Sequence, residues 1–147
     1  MANVHKRILV SEILDQVAKA ESKKDKIEIL RKYNSLELRD VLKGAFDDSI
    51  QFTLPKGVPP IDSAEKKKYD TTHLIHETKK FRYFVKGGPG DQINPIRKEK
   101  MFIDILYRIS DSEVALVCHM KDKTLEGVYK GLTKKLVAEA FPGLLSR

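Results

Sequence analysis

A chain of 147 residues with 41% hydrophobic content is the size of one domain and can bury roughly two thirds of its unfolded surface without a metal or disulfide to hold it. Its single cysteine, Cys118 in the apolar run Val114-Ala115-Leu116-Val117-Cys118, excludes an intrachain disulfide framework or a Cys-based zinc cluster and reads as a buried small hydrophobe. The 28 Lys and Arg against 21 Asp and Glu give a formal charge of +7, which biases the partner class toward polyanions.

The start, Met1 to Arg7, is basic, but Ser11, Glu12 and Asp15 interrupt the apolar stretch after it. No run approaches the roughly 20 apolar residues of a membrane span, so no membrane association and a reducing, cytoplasmic setting are expected. Over residues 8–20, Ile8, Leu9, Ile13, Leu14, Val17 and Ala18 recur at helical period and predict a first helix. Ser22 with Asp25 three positions on resembles a capping box for a second, carrying Ile27, Leu30 and Tyr33. Asn34 with Glu37 is expected to cap a third, whose inner stripe is Leu38, Val41, Leu42, Ala45 and Phe46. Residues 49–54 alternate apolar and polar up to Pro55 and read as an extended connector. Gly57, Pro59, Pro60 and the run Lys66-Lys67-Lys68 predict a flexible loop near 55–70 that buries little.

A fourth helix is expected over residues 71–85, with Leu74, Ile75, Phe81 and Phe84 near one face. Lys86-Gly87-Gly88-Pro89-Gly90-Asp91 breaks it. Asn94-Pro95 then starts a helix burying Met101, Phe102, Ile105, Leu106 and Ile109. Ser110 with Glu113 reads as a capping box for the next, and Thr133 as the cap of a last helix over residues 134–141, closed by Pro142-Gly143. About seven short helices with weak strand signals predict a single all-α domain over 1–147, an irregular bundle.

Catalytic constellations are scarce. His73 and His76 sit at helical spacing beside Glu77, but no third ligand follows in a zinc-hydrolase pattern; they read as surface or helix-contact residues, and His5 and His119 add nothing specific. No serine stands in a Gly-x-Ser-x-Gly elbow. The glycine loop lacks the Gly-Lys-Ser/Thr ending of a nucleotide site, and Pro89 removes an amide from any cradle. The segment reads either as a plain loop or as a contact to a nucleic-acid phosphate, with Lys86, Arg97, Lys98 and Lys100 as basic neighbours. In Lys79-Lys80-Phe81-Arg82-Tyr83-Phe84 the rings Phe81 and Phe84 are three apart and read as core, with the cations on the solvated side.

Several segments resemble, in order and spacing, the N-terminal all-helical DNA-binding domain of ATP-dependent DNA ligases, in particular that of T4-like phage ligases. The opening match is Ile13-Leu14-Asp15-Gln16-Val17-Ala18, then Ser22-Lys23-Lys24-Asp25-Lys26-Ile27-Glu28-Ile29-Leu30, then Leu38-Arg39-Asp40-Val41-Leu42. The closing match is Met120-Lys121-Asp122, then Gly131-Leu132-Thr133-Lys134-Lys135-Leu136-Val137-Ala138-Glu139-Ala140-Phe141-Pro142-Gly143-Leu144. Gly87 to Asp91 falls where the family has a turn between its middle helices. The resemblance covers about two thirds of the chain. It implies an all-α fold that grips duplex DNA across the minor groove through backbone contacts. A ligase also needs a nucleotidyltransferase domain with Lys-x-Asp-Gly; Lys68-Tyr69-Asp70-Thr71 lacks that glycine, and the chain ends three residues after Leu144. Residues 123–130 lengthen the turn before Gly131.

The expectation is therefore a non-enzymatic duplex-DNA-binding protein, in keeping with a standalone phage accessory protein, without cofactor or metal. Lys86, Arg97, Lys98, Lys121, Lys130, Lys134 and Lys135 would contact phosphates, and Gly88 and Gly131 would allow close backbone approach. The competing expectation is a protein-interaction module docking on a phage or host replication, transcription or virion protein through residues 56–70 and exposed hydrophobics near Val128 and Tyr129.

Overall fold

The computed structural model describes residues 8–69 and 71–146. The basic start Met1 to Arg7 with His5, and also Asp70 and Arg147, lie outside the described residues. Among these, the chain is all-α: α1 (Val10–Lys19), α2 (Lys23–Lys32), α3 (Leu36–Phe46), α4 (Ser63–Lys66), α5 (Ile75–Thr78), α6 (Pro95–Arg108), α7 (Asp111–Asp122) and α8 (Lys134–Ala140), with 3-10 turns at Lys79–Phe84 and Leu125–Gly127. One antiparallel bridge, Phe52 to Val85, fastens the extended connector to the end of the first 3-10 turn.

The apolar stripes build the core. α3 carries Leu38, Val41, Leu42, Ala45 and Phe46 inward and packs on α5, α7 and α8, while α1 lays Val10, Ile13, Leu14 and Val17 against α2 and α7. At Gly44 a Cβ would stand 2.8 Å from Met120 Sδ and 3.2 Å from Phe52 Cζ, so the missing side chain lets α7 and the connector close on α3.

Local caps explain most boundaries. Ser22 Oγ accepts from Asp25 N, Asn94 Oδ1 from Ile96 N ahead of Pro95, and Thr133 Oγ1 from Leu136 N. Two expected caps differ. Ser35, not Asn34, caps α3 by accepting from Leu38 N, because the Asn34 N–H still closes α2 on Arg31 O. Ser110 caps nothing with its side chain; Glu113 instead turns to α1 and accepts from Val10 N at 3.2 Å. Burial pushes the Glu113 carboxyl above its ordinary value against the pull of that bond, and the charge of Glu37 adds to the rise.

The helix expected over 71–85 is one α-turn followed by a six-residue 3-10 segment. Thr72 N instead donates to Arg108 O, and a three-residue period keeps Phe81 and Phe84 on one face, both buried. Phe84 meets Phe102 edge-on at 5.6 Å. Of the segment 55–70, read as a loop, the described residues 55–69 contain α4 and are tied along their length. Gly57 N donates to Asp122, Asp62 N to the Tyr107 hydroxyl, and Tyr69 stacks on Tyr107 at 5.1 Å.

Helix C-termini expose carbonyls that cations satisfy well, and four of them here are closed by a basic side chain from another element. Lys26 Nζ donates to Val17 O and Ala20 O at 2.7 Å, ending α1. Lys123 Nζ reaches Gly44 O at 2.6 Å and Asp47 O at 2.9 Å, ending α3. Lys66 Nζ bonds Leu106 O, Tyr107 O and Ile109 O, ending α6. Arg31 bonds Ala140 O and Glu139 O at 3.0 Å, ending α8. Part of the cation surplus is thus structural.

Candidate nucleic-acid interface

Two basic regions follow from this packing. The first forms where the N-terminal ends of α2 and α8 lie side by side. Lys23, Lys26, Gly131, Thr133, Lys135 and Leu136 line a cleft of about 280 Å³, and no carboxylate lines it. Lys130 and Lys24 flank it, exposed and without an ion-pair partner among the described residues, while Lys134 pairs with Asp48 at 2.6 Å and Lys23 with Glu139 at 2.7 Å. Gly131 has φ +79°, and a Cβ there would meet Lys26 Cε at 2.7 Å. Its freedom therefore turns the chain onto Lys26, which also reaches Lys130 O at 3.5 Å.

The second region surrounds the glycine loop. Lys86, Arg97 and Lys100 are exposed, and their side chains carry no hydrogen-bond or ion-pair partner among the described residues. The loop itself is closed inward. Gly87 N donates to Asp91 Oδ2 at 2.8 Å and Gly88 N to Val85 O at 3.0 Å, so neither amide faces outward for an anion. A Cβ on Gly88 would stand 2.8 Å from Arg82 O, and one on Gly90 only 1.8 Å from Tyr83 O. Close approach at Gly88 thus serves the chain's own backbone, which corrects its expected contact with a partner.

Two further expected phosphate ligands are turned inward. Lys98 is 5% exposed and donates to Thr53 Oγ1 at 3.0 Å. Lys121 is 6% exposed and donates to Pro55 O at 2.6 Å, Gly57 O at 3.1 Å and Asp122 Oδ1 at 2.6 Å. Burial raises the Asp122 carboxyl, but Lys121 and the Gly57 amide outweigh it and hold it below its ordinary value. Of the alternative docking residues, Val128 is 44% exposed, whereas Tyr129 is buried, its hydroxyl pushed up to about 12 by that burial.

The two regions are joined by residues 47–51. Asp48, the partner of Lys134, lies three residues before Gln51, whose carbonyl accepts from Lys86 N at 2.8 Å. Three residues span at most about 10 Å, and the bond from Gln51 Nε2 to Asp48 O keeps them coiled. Asp47 anchors this bridge. Burial alone would raise its carboxyl, but bonds from Ser49 Oγ and from the Ser146 and Ser49 amides hold it well below the ordinary range.

Residues suited to redox or metal chemistry do not converge. The His73 and His76 rings are 6.3 Å apart, and the adjacent Glu77 is buried and paired with Lys80 at 3.0 Å. Among the described residues no group of three or more His, Cys, Asp or Glu could hold a metal ion, and no helix is long and apolar enough to cross a membrane. The Cys118 thiol is buried and pushed up to about 11 by that burial.

A sequence profile for a family of unknown function matches residues 13–127, which include the glycine loop and end before α8. No curated protein matches the chain.

Proposed function

The chain belongs to DUF6433, a family of unknown function, and we propose that it is a non-enzymatic duplex-DNA-binding protein that holds backbone phosphates, in the manner implied by the resemblance to the phage ligase domain. The observation that carries this reading is the cleft between α2 and α8, lined by Lys23, Lys26 and Lys135 with no carboxylate. Phosphate contacts need exposed cations whose charge is not already neutralised within the fold. Lys24, Lys130 and Lys135 at the cleft and Lys86 across the 47–51 bridge meet that condition. Lys134 joins them by exchanging Asp48 for a phosphate, since an exposed pair of this kind holds little energy. In a phage setting the protein would act in the cytoplasm of the infected host.

The reading is tested by fluorescence anisotropy on a labelled duplex of about 20 base pairs. With four phosphates neutralised, the affinity falls about 150-fold between 50 and 200 mM salt. The double substitution Lys130→Glu with Lys135→Glu lowers both the affinity and the slope. A protein that leaves the duplex unbound at 50 mM salt refutes the proposal.

A further inference from the structure

A second concavity, of about 370 Å³, lies between the C-terminal half of α3, residues 50–52 and the 3-10 turn 79–84. That volume is in the lower range of small-ligand sites. Ile50, Phe52, Phe81 and Val85 supply an apolar floor, and Lys43, Lys79 and Arg82 stand around it against one carboxylate, Asp40. The Arg82 guanidinium lies 5.2 Å from the Tyr83 ring centroid and donates to its hydroxyl at 3.3 Å, so this cation is oriented before any partner arrives.

The polar end of the concavity is incompletely satisfied. Thr78 is buried, and its Oγ1 lies beside the Asp40 carboxylate without a well-formed hydrogen bond; burial raises that carboxyl above its ordinary value, and the Thr78 hydroxyl offsets the rise only in part. A buried hydroxyl left so loses hydration without compensation. The concavity therefore combines an aromatic face, a carboxylate and hydroxyl side by side, and surrounding cations. An occupant complementary to all three is planar and apolar on its faces, carries N–H donors on its edge, and is attached to an anion. A nucleobase with its phosphate has those properties, since every base presents a π-face for aromatic stacking.

We infer that this groove receives one unstacked base from a single-stranded tail, with the adjoining phosphate on Lys79 and Arg82. The inference rests on the DNA-binding reading above and assigns it a second subsite. Continuity supports the assignment: Ile50 and Phe52 follow directly on the bridge whose Asp48 pairs with Lys134. A strand leaving the α2–α8 cleft along that bridge enters the groove. Asp40 accepts from the amino or imino N–H of the base, and Thr78, buried against it, positions that carboxylate.

The test compares a blunt duplex with the same duplex carrying a six-nucleotide single-stranded tail, by anisotropy at low salt. The wild type binds the tailed form at least about fivefold more tightly. Phe52→Leu keeps apolar bulk but removes the aromatic face, and Thr78→Val keeps the shape but removes the hydroxyl that lies against Asp40. In each variant the advantage of the tail shrinks to less than about twofold while blunt-duplex affinity is unchanged. A wild type with no preference for the tail, or a preference that survives both substitutions, overturns the groove assignment alone. A chain that binds neither DNA overturns this inference and the DNA-binding reading together. A concentration-dependent dimer dispersed by Arg82→Glu would assign the groove to a second copy and likewise overturn it.

Discussion

Replacing Lys121 by alanine separates a structural lysine from a DNA-contacting one. The Lys121 side chain is 2% exposed and its Nζ holds two carbonyls of the 55–57 segment together with Asp122. Its loss strands the Asp122 charge with the Gly57 amide as its remaining hydrogen bond. Removing one partner of a buried pair costs about 3 to 5 kcal/mol. Asp122 retains some solvent contact and the two carbonyls lie in exposed chain that water reaches, so the lower figure, about 3 kcal/mol, applies. For a chain of this length that lowers Tm by about 10 °C. Urea unfolding of the Lys121→Ala and Lys135→Ala proteins, with anisotropy on the same samples, reads both effects. The first variant loses stability and keeps its DNA affinity and salt slope; the second does the reverse. A Lys121→Ala protein within about 1 kcal/mol of wild type, or one that loses DNA affinity as steeply as Lys135→Ala, refutes the assignment of this lysine to the fold.

Asp47 carries a pH dependence of definite sign. Because its folded carboxyl is depressed below the ordinary value of 3.8, its contribution is fully present above about pH 4 and is lost as pH falls below it; Asp47→Asn costs about 2 kcal/mol at neutral pH, and urea melts across the acid range show the gap to wild type narrowing. Lys123 ends α7 with φ +62°, its N–H on Met120 O and that of Thr124 on His119 O, a left-handed closure that glycine ordinarily takes. Lys123→Gly and Lys123→Ala both remove the cap on α3, but glycine also relieves the backbone, so it is the more stable of the two by about 1 kcal/mol in chemical denaturation; equal stabilities would contradict the left-handed closure. At the glycine loop, Gly87 has φ +84° with open space around it, whereas a Cβ on Gly90 collides with Tyr83 backbone. Thermal melts therefore rank Gly90→Ala well below Gly87→Ala, which costs only the roughly 1 to 2 kcal/mol of the left-handed conformation.

Much of the fold was readable because its signals are local. Periodicity in residues 8–20 and 36–46 marked the faces that become the core, and the caps at Ser22, Asn94 and Thr133 act across two or three residues. Readings failed where a distant group competed. Glu113 left its expected capping box for the N–H of Val10, 103 residues away, and residues 71–73 gave up helix for a bond to Arg108.

The basic surface was readable only in outline. Of the seven basic residues expected at DNA, Lys86, Arg97, Lys130, Lys134 and Lys135 stand outward, while Lys98 and Lys121 do not. No local pattern distinguishes Lys121, which is buried, from Lys130, which is exposed. Missed entirely was the groove beside α3, because Asp40, Phe52, Thr78 and Arg82 come from three separate segments whose approach depends on Gly44 and on the bridge from Phe52 to Val85.

Charge surplus, the all-α class and the apolar stripes are properties of residue type and spacing, and the sequence by itself determined them. Which lysines remain free to meet a polyanion was decided only in the tertiary structure. The carbonyls that capture Lys66, Lys121 and Lys123 lie 40 to 79 residues away in the chain, and they become acceptors for those ammonium groups only once the helices have docked.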